Sequence, residues 1–381
     1  MNIAVFWPNW IGDAVMATPA ARALREHYAN AHLIGVLRPY VAGVLEGSPW
    51  MDELVFLDTR GPWARRWPAV AARLCHLDVD LAVLFPNSFH SALVAWLGRC
   101  RRRVGYVRHG RSLLLTERLE LVRDAYGKLR PSPVILAYNR LAEALGCAAT
   151  SCRMELFTTP SDEAAADVVW QQAGLTPWTE VICLNPGAAF GSAKVWPAEY
   201  FATLARQLAD ERGSSVLVLC GPPERELART IATQARRPAV HSLADHALSL
   251  GLTKACIRRA DLLITTDSGP RHFAAAFDRP VVTLFGPTHI PWTETYYPKA
   301  IHLQKIVDCG PCQRRVCPLD HRCMKLLMPA EVLNAAAELL GRFPRSSNST
   351  RGSDQRAAGF MPAGWPHRRD QPGGSQLNRA Q

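Results

Sequence analysis

The sequence predicts an α/β protein made of two tandem doubly wound, Rossmann-like domains with a central cleft. Three observations support this class. Short, almost wholly apolar segments alternate with segments of helical periodicity. This alternation stops after the first half of the chain and then restarts. The length of 381 residues also exceeds what one small core needs. We expect one domain over residues 1–155 and a second over residues 156–344.

The first domain is predicted to contain four strands, each followed by a helix. The strands are expected over residues 3–6, 33–37, 53–57 and 81–85, and the helices over residues 14–29, 40–45, 64–76 and 88–97. Strands that are apolar along their whole length indicate a parallel sheet covered on both faces. After these come an irregular basic connection over 99–130, a helix over 132–145 and a linker over 151–160.

The second domain repeats the alternation. Its strands are expected over residues 181–184, 215–219, 262–265 and 281–285, and its helices over residues 198–212, 224–235, 248–259, 270–277 and 329–340. The tail over residues 345–381 is rich in Ser, Gly, Pro, Gln and Arg and shows no periodicity. We expect this tail to be disordered, because it offers too little apolar surface to offset the entropy of ordering.

The loop after the first strand carries the first candidate site. Ligands of open parallel sheets bind beyond the carboxyl ends of the strands, where Asp13 is expected. Its carboxylate is suited to accept a proton from a sugar hydroxyl as a general base, or alternatively to cap the next helix. The indole rings of Trp7 and Trp10 suit packing on a sugar ring. The loop lacks a G-x-G-x-x-G turn, which argues against a nicotinamide-dependent oxidoreductase.

Three loops of the second domain predict a phosphate or nucleotide site. Lys194 follows a loop of small residues that allows close backbone approach to a phosphate. Asp267, Ser268 and Gly269 begin a helix whose free N–H groups suit a diphosphate, and His272 would add a hydrogen bond. Glu224 is placed to accept from the two hydroxyls of a ribose. The alternatives are ordinary strand-to-helix loops and a helix-start glutamate.

The charge distribution indicates an anionic partner. The net charge is +11, and residues 99–130 hold ten Lys or Arg against three Asp or Glu. A phosphorylated lipid, a sugar phosphate or a nucleic acid would match this patch, and a solvated face is the alternative. The chain has no uninterrupted apolar stretch of 18 residues, and its first residues lack the basic start of a secretory signal. We therefore expect a cytoplasmic protein.

Eleven cysteines are present, and four of them cluster near the end of the second domain. With no export signal, most should be buried thiols in a reducing compartment. The spacing of Cys309, Cys312, Cys317 and Cys323 resembles a four-thiolate zinc site in number, but it lacks two C-x-x-C pairs. A structural metal, a disulfide and free packed thiols are therefore all open.

Taken together, these loops resemble the bacterial heptosyltransferases, the ADP-heptose:lipopolysaccharide transferases of glycosyltransferase family 9, and most of all the heptosyltransferase II members. The matching segments occur in the order of the family. They are residues 10–13, 84–88, 105–106, 185–188, 193–197, 267–269 with His272, 284–287 and the cysteines of 309–323. The resemblance spans roughly residues 1–341, and its strength comes from the whole set, since no single segment is specific.

The resemblance implies a GT-B fold, with the acceptor in the first domain and ADP-heptose in the second. It implies inverting transfer by single displacement onto the first heptose of the lipopolysaccharide inner core, with Asp13 as base. Lys194 and the helix start at Ser268 and Gly269 would stabilise the leaving diphosphate. The implied acceptor contacts are Trp10, Asn87, Ser88, Arg103 and Tyr106. Neither a metal nor another cofactor is expected.

Partners and alternatives follow from the same resemblance. The implied partners are ADP-heptose, a lipid A-core acceptor and, through the basic residues 99–130, the cytoplasmic face of the inner membrane. Position 271 departs from the family, since it is Arg where many relatives carry an apolar residue. The closest alternative is heptosyltransferase I or a relative with another sugar or acceptor. An alternative of another class is a basic nucleic-acid-binding protein, although we expect no nucleic acid partner.

Overall fold

In a computed structural model of the chain, the described residues form two six-stranded sheets. The chain divides between Glu155 and Leu156 into two compact units, and residues 291–296 group with the first. The structure describes residues 1–58, 61–123 and 130–344. The tail predicted to be disordered lies outside these residues. No helix in the described part of the chain has both the length and the apolar character needed to cross a bilayer.

The sheet of the first unit is wholly parallel, as the sequence predicts. Its strands are β1 (Asn2–Phe6), β2 (His32–Leu37), β3 (Glu53–Phe56), β4 (Leu81–Leu84), β5 (Arg102–Tyr106) and β6 (Glu117–Leu119). They lie in the order β3-β2-β1-β4-β5-β6. Phe6 of β1 pairs with Val36 on one side and Leu84 on the other. The strand order reverses between β1 and β4, where doubly wound sheets form their ligand-binding crevice.

Among the described residues of the first unit, six α-helices accompany this sheet. They are α1 (Ile11–Met16), α2 (Thr18–His27), α3 (Ala42–Leu45), α4 (Trp67–His76), α5 (Phe89–Leu97) and α6 (Val134–Glu143). The single helix predicted over 14–29 is therefore wrong, because the chain forms two helices that meet at Ala17. Pro19 has no N–H for the carbonyl of Val15, and the hydroxyl of Thr18 donates to that carbonyl instead, at 2.8 Å.

The second unit repeats the topology. Its strands are β7 (Val181–Asn185), β8 (Ser215–Val218), β9 (Val240–Ser242), β10 (Leu262–Thr266), β11 (Val281–Phe285) and β12 (Ala300–Gln304). They lie in the order β12-β11-β10-β7-β8-β9, and all neighbours are parallel. The strand order reverses between β7 and β10, so the loops after these strands are the expected ligand-binding loops of this unit.

The helices of the second unit are α7 (Pro160–Gln172), α8 (Ala198–Arg212), α9 (Arg225–Ala235), α10 (Leu250–Arg259), α11 (Pro270–Ala276), α12 (Arg322–Lys325) and α13 (Pro329–Arg342). The central strands β7, β10 and β11 are buried along their whole length. Each fully buried aliphatic side chain stabilises the fold by about 1.5–3 kcal/mol. The cores of these strands therefore hold the loops that follow them in fixed positions.

Six strands and α-helices of the described residues were not predicted from the sequence, the short helix α12 among them. The connection expected over 99–130 contains β5 and β6, and the strands β9 and β12 and the helix α7 were not predicted. The linker expected over 151–160 ends where α7 begins. Thr159 and Asp162 form a reciprocal capping box there, an N-terminal signal that is visible in the sequence.

Candidate functional site

Two loops of the second unit meet at the carboxyl ends of β7 and β10. The amide nitrogen of Asn185, the last residue of β7, donates to Thr265 Oγ1 and to Ser268 Oγ, both at 3.0 Å. In the opposite direction, the hydroxyl of Thr266 donates to the carbonyl of Gly187 at 2.8 Å. These bonds join the Lys194 loop to the start of α11, so the structure brings together the two segments predicted to bind phosphate.

Lys194 and Asp267 form a buried ion pair within this pair of loops. The Lys194 ammonium donates to Asp267 Oδ2 at 2.6 Å and to the Asp267 carbonyl at 2.9 Å. The two side chains are only 10% and 6% exposed. Burial alone would raise the pKa of Asp267, but Lys194, Arg271 and a hydrogen bond from Thr288 together lower it. Asp267 is therefore ionised at neutral pH, and Lys194 is held in place.

Arg271 and His272 lie in the first turn of α11, next to this ion pair. Both side chains are buried. Arg271 Nη1 lies 3.7 Å from Asp267 Oδ1, and Arg271 Nε donates to His272 Nε2 at 3.3 Å. Burial and the neighbouring Arg271 lower the pKa of His272 well below its ordinary value. His272 is therefore a neutral hydrogen-bonding group in a site whose positive charge comes from Lys194 and Arg271.

Glu224 lies at the carboxyl end of β8, next to β7. One carboxylate oxygen, Oε2, accepts from the Gly221 N–H at 2.9 Å. A Cβ at Gly187 would lie 3.1 Å from the other oxygen, so the Glu224 carboxylate would have to shift by a few tenths of an ångström to accept one. Burial raises the pKa of Glu224. Glu224 caps its own helix start, as the alternative reading proposed, and one of its oxygens also faces the loop that contains Gly187.

The cysteine-rich segment over residues 309–323 is hydrogen-bonded to the Lys194 loop, a connection that was not predicted from the sequence. The N–H of Ala193 donates to the Arg315 carbonyl at 3.0 Å, and the N–H of Gln313 donates to the Pro287 carbonyl at 2.7 Å. The Arg315 guanidinium lies 5.7 Å from the ring centroid of Phe190, and the Lys194 ammonium lies 4.6 Å from that centroid. The cysteine-rich segment therefore runs over the loop that carries Lys194. These bonds are backbone-mediated, so no side-chain motif predicts them.

The four clustered cysteines are free thiols in this structure. Burial raises the pKa of Cys323, and the electrostatic influence of Cys317, Cys309 and Cys312 raises it further. The residues that the structure describes contain no group of three or more His, Cys, Asp or Glu side chains arranged to hold a metal ion. Cys309 and Cys312 are exposed and Cys317 is half-buried, so Cys323 is the one thiol of the four that is packed in the core.

In the first unit, Asp13 lies at the third position of α1, directly after the loop that follows β1. Trp10 is the N-cap residue, so the alternative in which Asp13 caps this helix is wrong. Trp10 is 47% exposed and available to a ligand, whereas Trp7 is buried edge-on against Phe85 and is not. Burial raises the pKa of Tyr138 of α6, and the Asp13 carboxylate raises it further.

The loop after β4 is built around a buried arginine that the sequence analysis did not single out. Arg111 is fully buried, and its guanidinium donates to Asn87 Oδ1 at 3.0 Å and to the Ser88 carbonyl at 3.3 Å. Burial lowers the pKa of Arg111 to about 10. Since Asn87 Oδ1 accepts from Arg111, the amide N–H groups of Asn87 are directed away from it. Ser88 caps α5 by accepting from the Ser91 N–H at 3.1 Å.

Arg103 and Tyr106 are occupied by structural contacts. Arg103 Nε donates to the Leu114 carbonyl and its Nη1 to the carbonyl of Cys100, which precedes β5, so the guanidinium points toward the amino end of the sheet. Tyr106 is buried, and its hydroxyl donates to the Ala137 carbonyl at 2.9 Å. Burial also raises the Tyr106 pKa to about 12. We therefore do not retain Arg103 and Tyr106 as acceptor contacts.

The basic connection over 99–130 is less free than its composition suggests. Arg101 pairs with Asp78 at 2.8 Å and Asp80 at 2.5 Å, and Arg102 pairs with Glu117 at 2.7 Å. Arg111 is buried, as described above. Arg111 therefore does not face a phosphorylated partner, whereas the side chains of Arg101 and Arg102 are 61% and 48% exposed, so the basic face of this segment stays a prediction. Residues 124–129 lie outside the described residues.

Comparison with known proteins shows which family the sequence matches. Residues 67–322 match the sequence model of glycosyltransferase family 9 (heptosyltransferase). The lipooligosaccharide heptosyltransferase 2 of Campylobacter jejuni is 27% identical over 348 residues, which cover 89% of this chain and 98% of that protein. The lipopolysaccharide heptosyltransferase 2 of Salmonella typhimurium is 29% identical over 311 residues, or 79% and 87% of the two chains.

A solved structure agrees with these sequence matches. The ADP-heptose lps heptosyltransferase II of E. coli superimposes on this chain with a TM-score of 0.72. The two sequences are 26% identical, and the match covers 90% of this chain and 99% of the other. The similarity therefore extends over both sheets and over nearly the whole length of the relative.

Proposed function

The chain belongs to glycosyltransferase family 9, and from this membership we propose that it transfers a heptose from ADP-heptose to the inner core of lipopolysaccharide. It is a glycosyltransferase with the GT-B fold of the heptosyltransferases. Among the acceptors, we propose the first heptose of the inner core, because heptosyltransferase 2 proteins match most of this chain. No cofactor takes part in the proposed reaction.

The donor is proposed to bind at the second unit. The main support is the pair of loops in which Lys194 is buried against Asp267, beside the small residues Gly187, Ser268 and Gly269. Small residues admit a diphosphate to the backbone N–H groups, and Lys194 supplies a fixed positive charge. His272 adds a neutral hydrogen bond. Glu224, one strand away, is proposed to accept from the ribose hydroxyls.

The acceptor is proposed to bind at the first unit, near the carboxyl ends of β1 and β4. Asp13 would take the proton of the acceptor hydroxyl while that oxygen attacks the anomeric carbon of the heptose. The bond from this carbon to the diphosphate oxygen breaks in the same step, and ADP leaves with the electron pair. The configuration is inverted. The exposed indole of Trp10 and the amide N–H groups of Asn87, oriented by Arg111, are the proposed acceptor contacts. Ser88 contributes by fixing the helix start.

The test is the release of ADP from ADP-heptose, measured with lipid acceptors that carry zero, one or two heptoses. We expect release only with the one-heptose acceptor. Release only with the heptose-free acceptor would reassign the chain to the first transfer of the core, the heptosyltransferase I reaction. No release with any of the three would reject the proposed donor or acceptor class and would call for other nucleotide sugars.

We further propose a cytoplasmic enzyme that works at the inner membrane surface and does not bind nucleic acid. An acceptor anchored by lipid A is confined to a membrane, so the enzyme must meet it there. The net charge of +11 favours an anionic surface. Because several arginines of residues 99–130 are paired internally, the attraction is attributed to the net charge of the molecule and not to that segment alone.

A further inference from the structure

Arg271 occupies an unusual position for a charged side chain. It is 3% exposed, in the first turn of α11, with its guanidinium 5.0 Å from the ring centroid of Phe285. A buried guanidinium is costly unless its N–H groups are used. Two of its contacts lead to residues of the donor site, namely the ion pair with Asp267 at 3.7 Å and the hydrogen bond to His272 Nε2 at 3.3 Å.

The bond between Arg271 and His272 determines where the imidazole carries its proton. A guanidinium is always charged in proteins and can only donate hydrogen bonds. His272 Nε2 must therefore accept, which requires its lone pair and excludes a proton on this nitrogen. The remaining proton of the neutral ring is then on Nδ1, which becomes its single donor.

We propose that Arg271 is a positioning residue of the nucleotide-diphosphate site, which holds His272 as a neutral Nδ1–H donor and supports Asp267 at Oδ1 while Lys194 binds Oδ2. This inference rests on the proposed function for the identity of the ligand, a sugar nucleotide diphosphate. The imidazole of His272 then presents one fixed N–H donor to the ligand. The positive charge of the site comes from Lys194 and Arg271 and does not change with the protonation of His272.

The electrostatic surroundings of His272 agree with this assignment. The charged and titratable groups that face it are Arg271 on its own helix, Asp267 after β10, Lys194 after β7 and His302 on β12. Burial lowers the pKa of His272 most, and Arg271 lowers it next, while Asp267 opposes them. Removing the Arg271 charge must therefore raise the pKa of His272, and the ring would gain a proton at higher pH than in the native protein.

The decisive measurement is the ¹⁵N spectrum of the histidine rings of the full-length protein, recorded between about pH 8 and pH 5.5, a range that spans the ordinary histidine pKa. The His272 signals are assigned by their loss in His272→Gln. We expect a protonated Nδ1, an unprotonated Nε2 and no titration in the native protein. A proton on Nε2, or titration near the ordinary pKa, would overturn the proposal. This readout needs no substrate, so it remains valid even if ADP-heptose proves not to be the donor.

Three substitutions separate the hydrogen bond from the charge. Arg271→Leu removes both, Arg271→Lys keeps the charge without the planar donor, and Arg271→Gln keeps an N–H donor without the charge. We expect the His272 pKa to rise in the Leu and Gln variants, and the Nδ1–H form to be retained best in the Gln variant. If Arg271→Leu does not fold, Arg271→Gln serves in its place.

Kinetics give a second readout. Losing a charge-assisted bond that orients a donor residue should raise the KM for ADP-heptose about tenfold or more in Arg271→Leu, with the KM for the acceptor unchanged. A variant that loses only thermal stability, with the His272 ring spectrum and the donor KM as in the native protein, would show that Arg271 has a merely structural role and would reject the proposal.

Discussion

At the scale of single residues, the site depends on charges that are held in place before any ligand arrives. Lys194 and Asp267 are buried together, and Arg111 is buried under the loop that carries Asn87. Preorganised charges of this kind stabilise a transition state without reorganising during the reaction. Asp13 differs from them, because it lies at a partly exposed position and is proposed to exchange a proton.

Replacing Asp13 by Asn tests the proposed base. The amide keeps the shape of the side chain but cannot accept the proton, so kcat should fall by about 10²–10⁴-fold. The KM for ADP-heptose and the melting temperature should stay close to native values. Glu26→Gln, the same change at an exposed carboxylate of α2, is the matched control and should leave kcat unchanged. Native turnover by Asp13→Asn would remove this residue from the mechanism.

Replacing Lys194 by Met tests the buried ion pair. Asp267 would lose its closest cation, and the free energy of unfolding should fall by about 3–5 kcal/mol. Donor use should be lost as well. Because Lys194 lowers the Asp267 pKa, the stability that the pair contributes is present at neutral pH and is lost as pH falls through the folded pKa of Asp267. In Lys194→Met the folded pKa of Asp267 should rise, so this acid loss should become smaller, and protonation of the buried carboxyl should recover part of the lost stability.

Denaturant unfolding at several pH values measures this effect. Lys325→Met, a loss of charge at an exposed site, should change the stability by no more than about 0.5 kcal/mol. The double variant Lys194→Met/Asp267→Asn should recover part of the lost stability, because no carboxylate is left buried without its ammonium, but it should remain inactive. A single variant as stable as the native protein would contradict the structural account of the pair.

The sequence predicted only some of these residues, for a physical reason. Asp13, Lys194 and Asp267 follow strands whose apolar pattern is unmistakable, so their places at the carboxyl edges could be predicted. Arg111 and Arg315 act through backbone carbonyls and N–H groups that are distant in sequence, and such partners leave no residue pattern. For the same reason, the bonds that Arg103 and Tyr106 donate to backbone carbonyls could be found only in the structure.

At the scale of elements, the central strands of both sheets except β5 were predictable, whereas of the four edge strands in the described residues only β3 was predicted. Burial on both faces gives β1, β4, β7 and β10 a continuous apolar run. By contrast, β6 and β12 are edge strands, β9 has three residues, and β5 begins with two arginines. An edge strand needs fewer apolar residues because solvent reaches it, and β5 starts with its charges at the exposed end. These strands therefore resemble connecting loops in the sequence.

Replacing Gly191 by Ala tests whether the cysteine-rich segment holds the Lys194 loop in place. Its φ of +154° favours glycine, and an added Cβ would lie 2.3 Å from the Arg315 carbonyl oxygen. Gly191→Ala should force the two segments apart, lower the free energy of unfolding by about 1–3 kcal/mol and raise the KM for ADP-heptose. The acceptor KM should not change. Isothermal titration with ADP and steady-state kinetics measure these effects.

The matched control is Gly174→Ala. Gly174 also has a positive φ, of +63°, but nothing lies within 4 Å of an added Cβ. This substitution should therefore cost only backbone strain, on the order of 1 kcal/mol, and leave the donor KM unchanged. If both variants lose stability equally and both keep the native donor KM, the contact between Gly191 and Arg315 does not support the donor loop.

At the scale of the whole molecule, the two units share one strand order but differ in the chemistry at the point where that order reverses. The first unit presents a carboxylate and an exposed indole after β1, whereas the second presents a buried ammonium and a cluster of small residues after β7 and β10. The first set suits a neutral sugar hydroxyl that must lose a proton, and the second suits an anionic diphosphate. One topology, used twice, thus accounts for the two halves of the proposed reaction.

The net charge of +11 leads to a prediction about the whole chain. We expect the protein to sediment with vesicles that contain phosphatidylglycerol but not with vesicles of phosphatidylcholine alone. The attraction is electrostatic, so it should weaken steeply between about 0.05 M and 0.5 M salt as the Debye length falls. Duplex DNA is the competing polyanion. Equal binding to neutral vesicles, or binding that salt does not weaken, would contradict a charge-driven membrane contact. Tighter binding to DNA than to anionic vesicles at about 0.15 M salt would favour the nucleic-acid alternative.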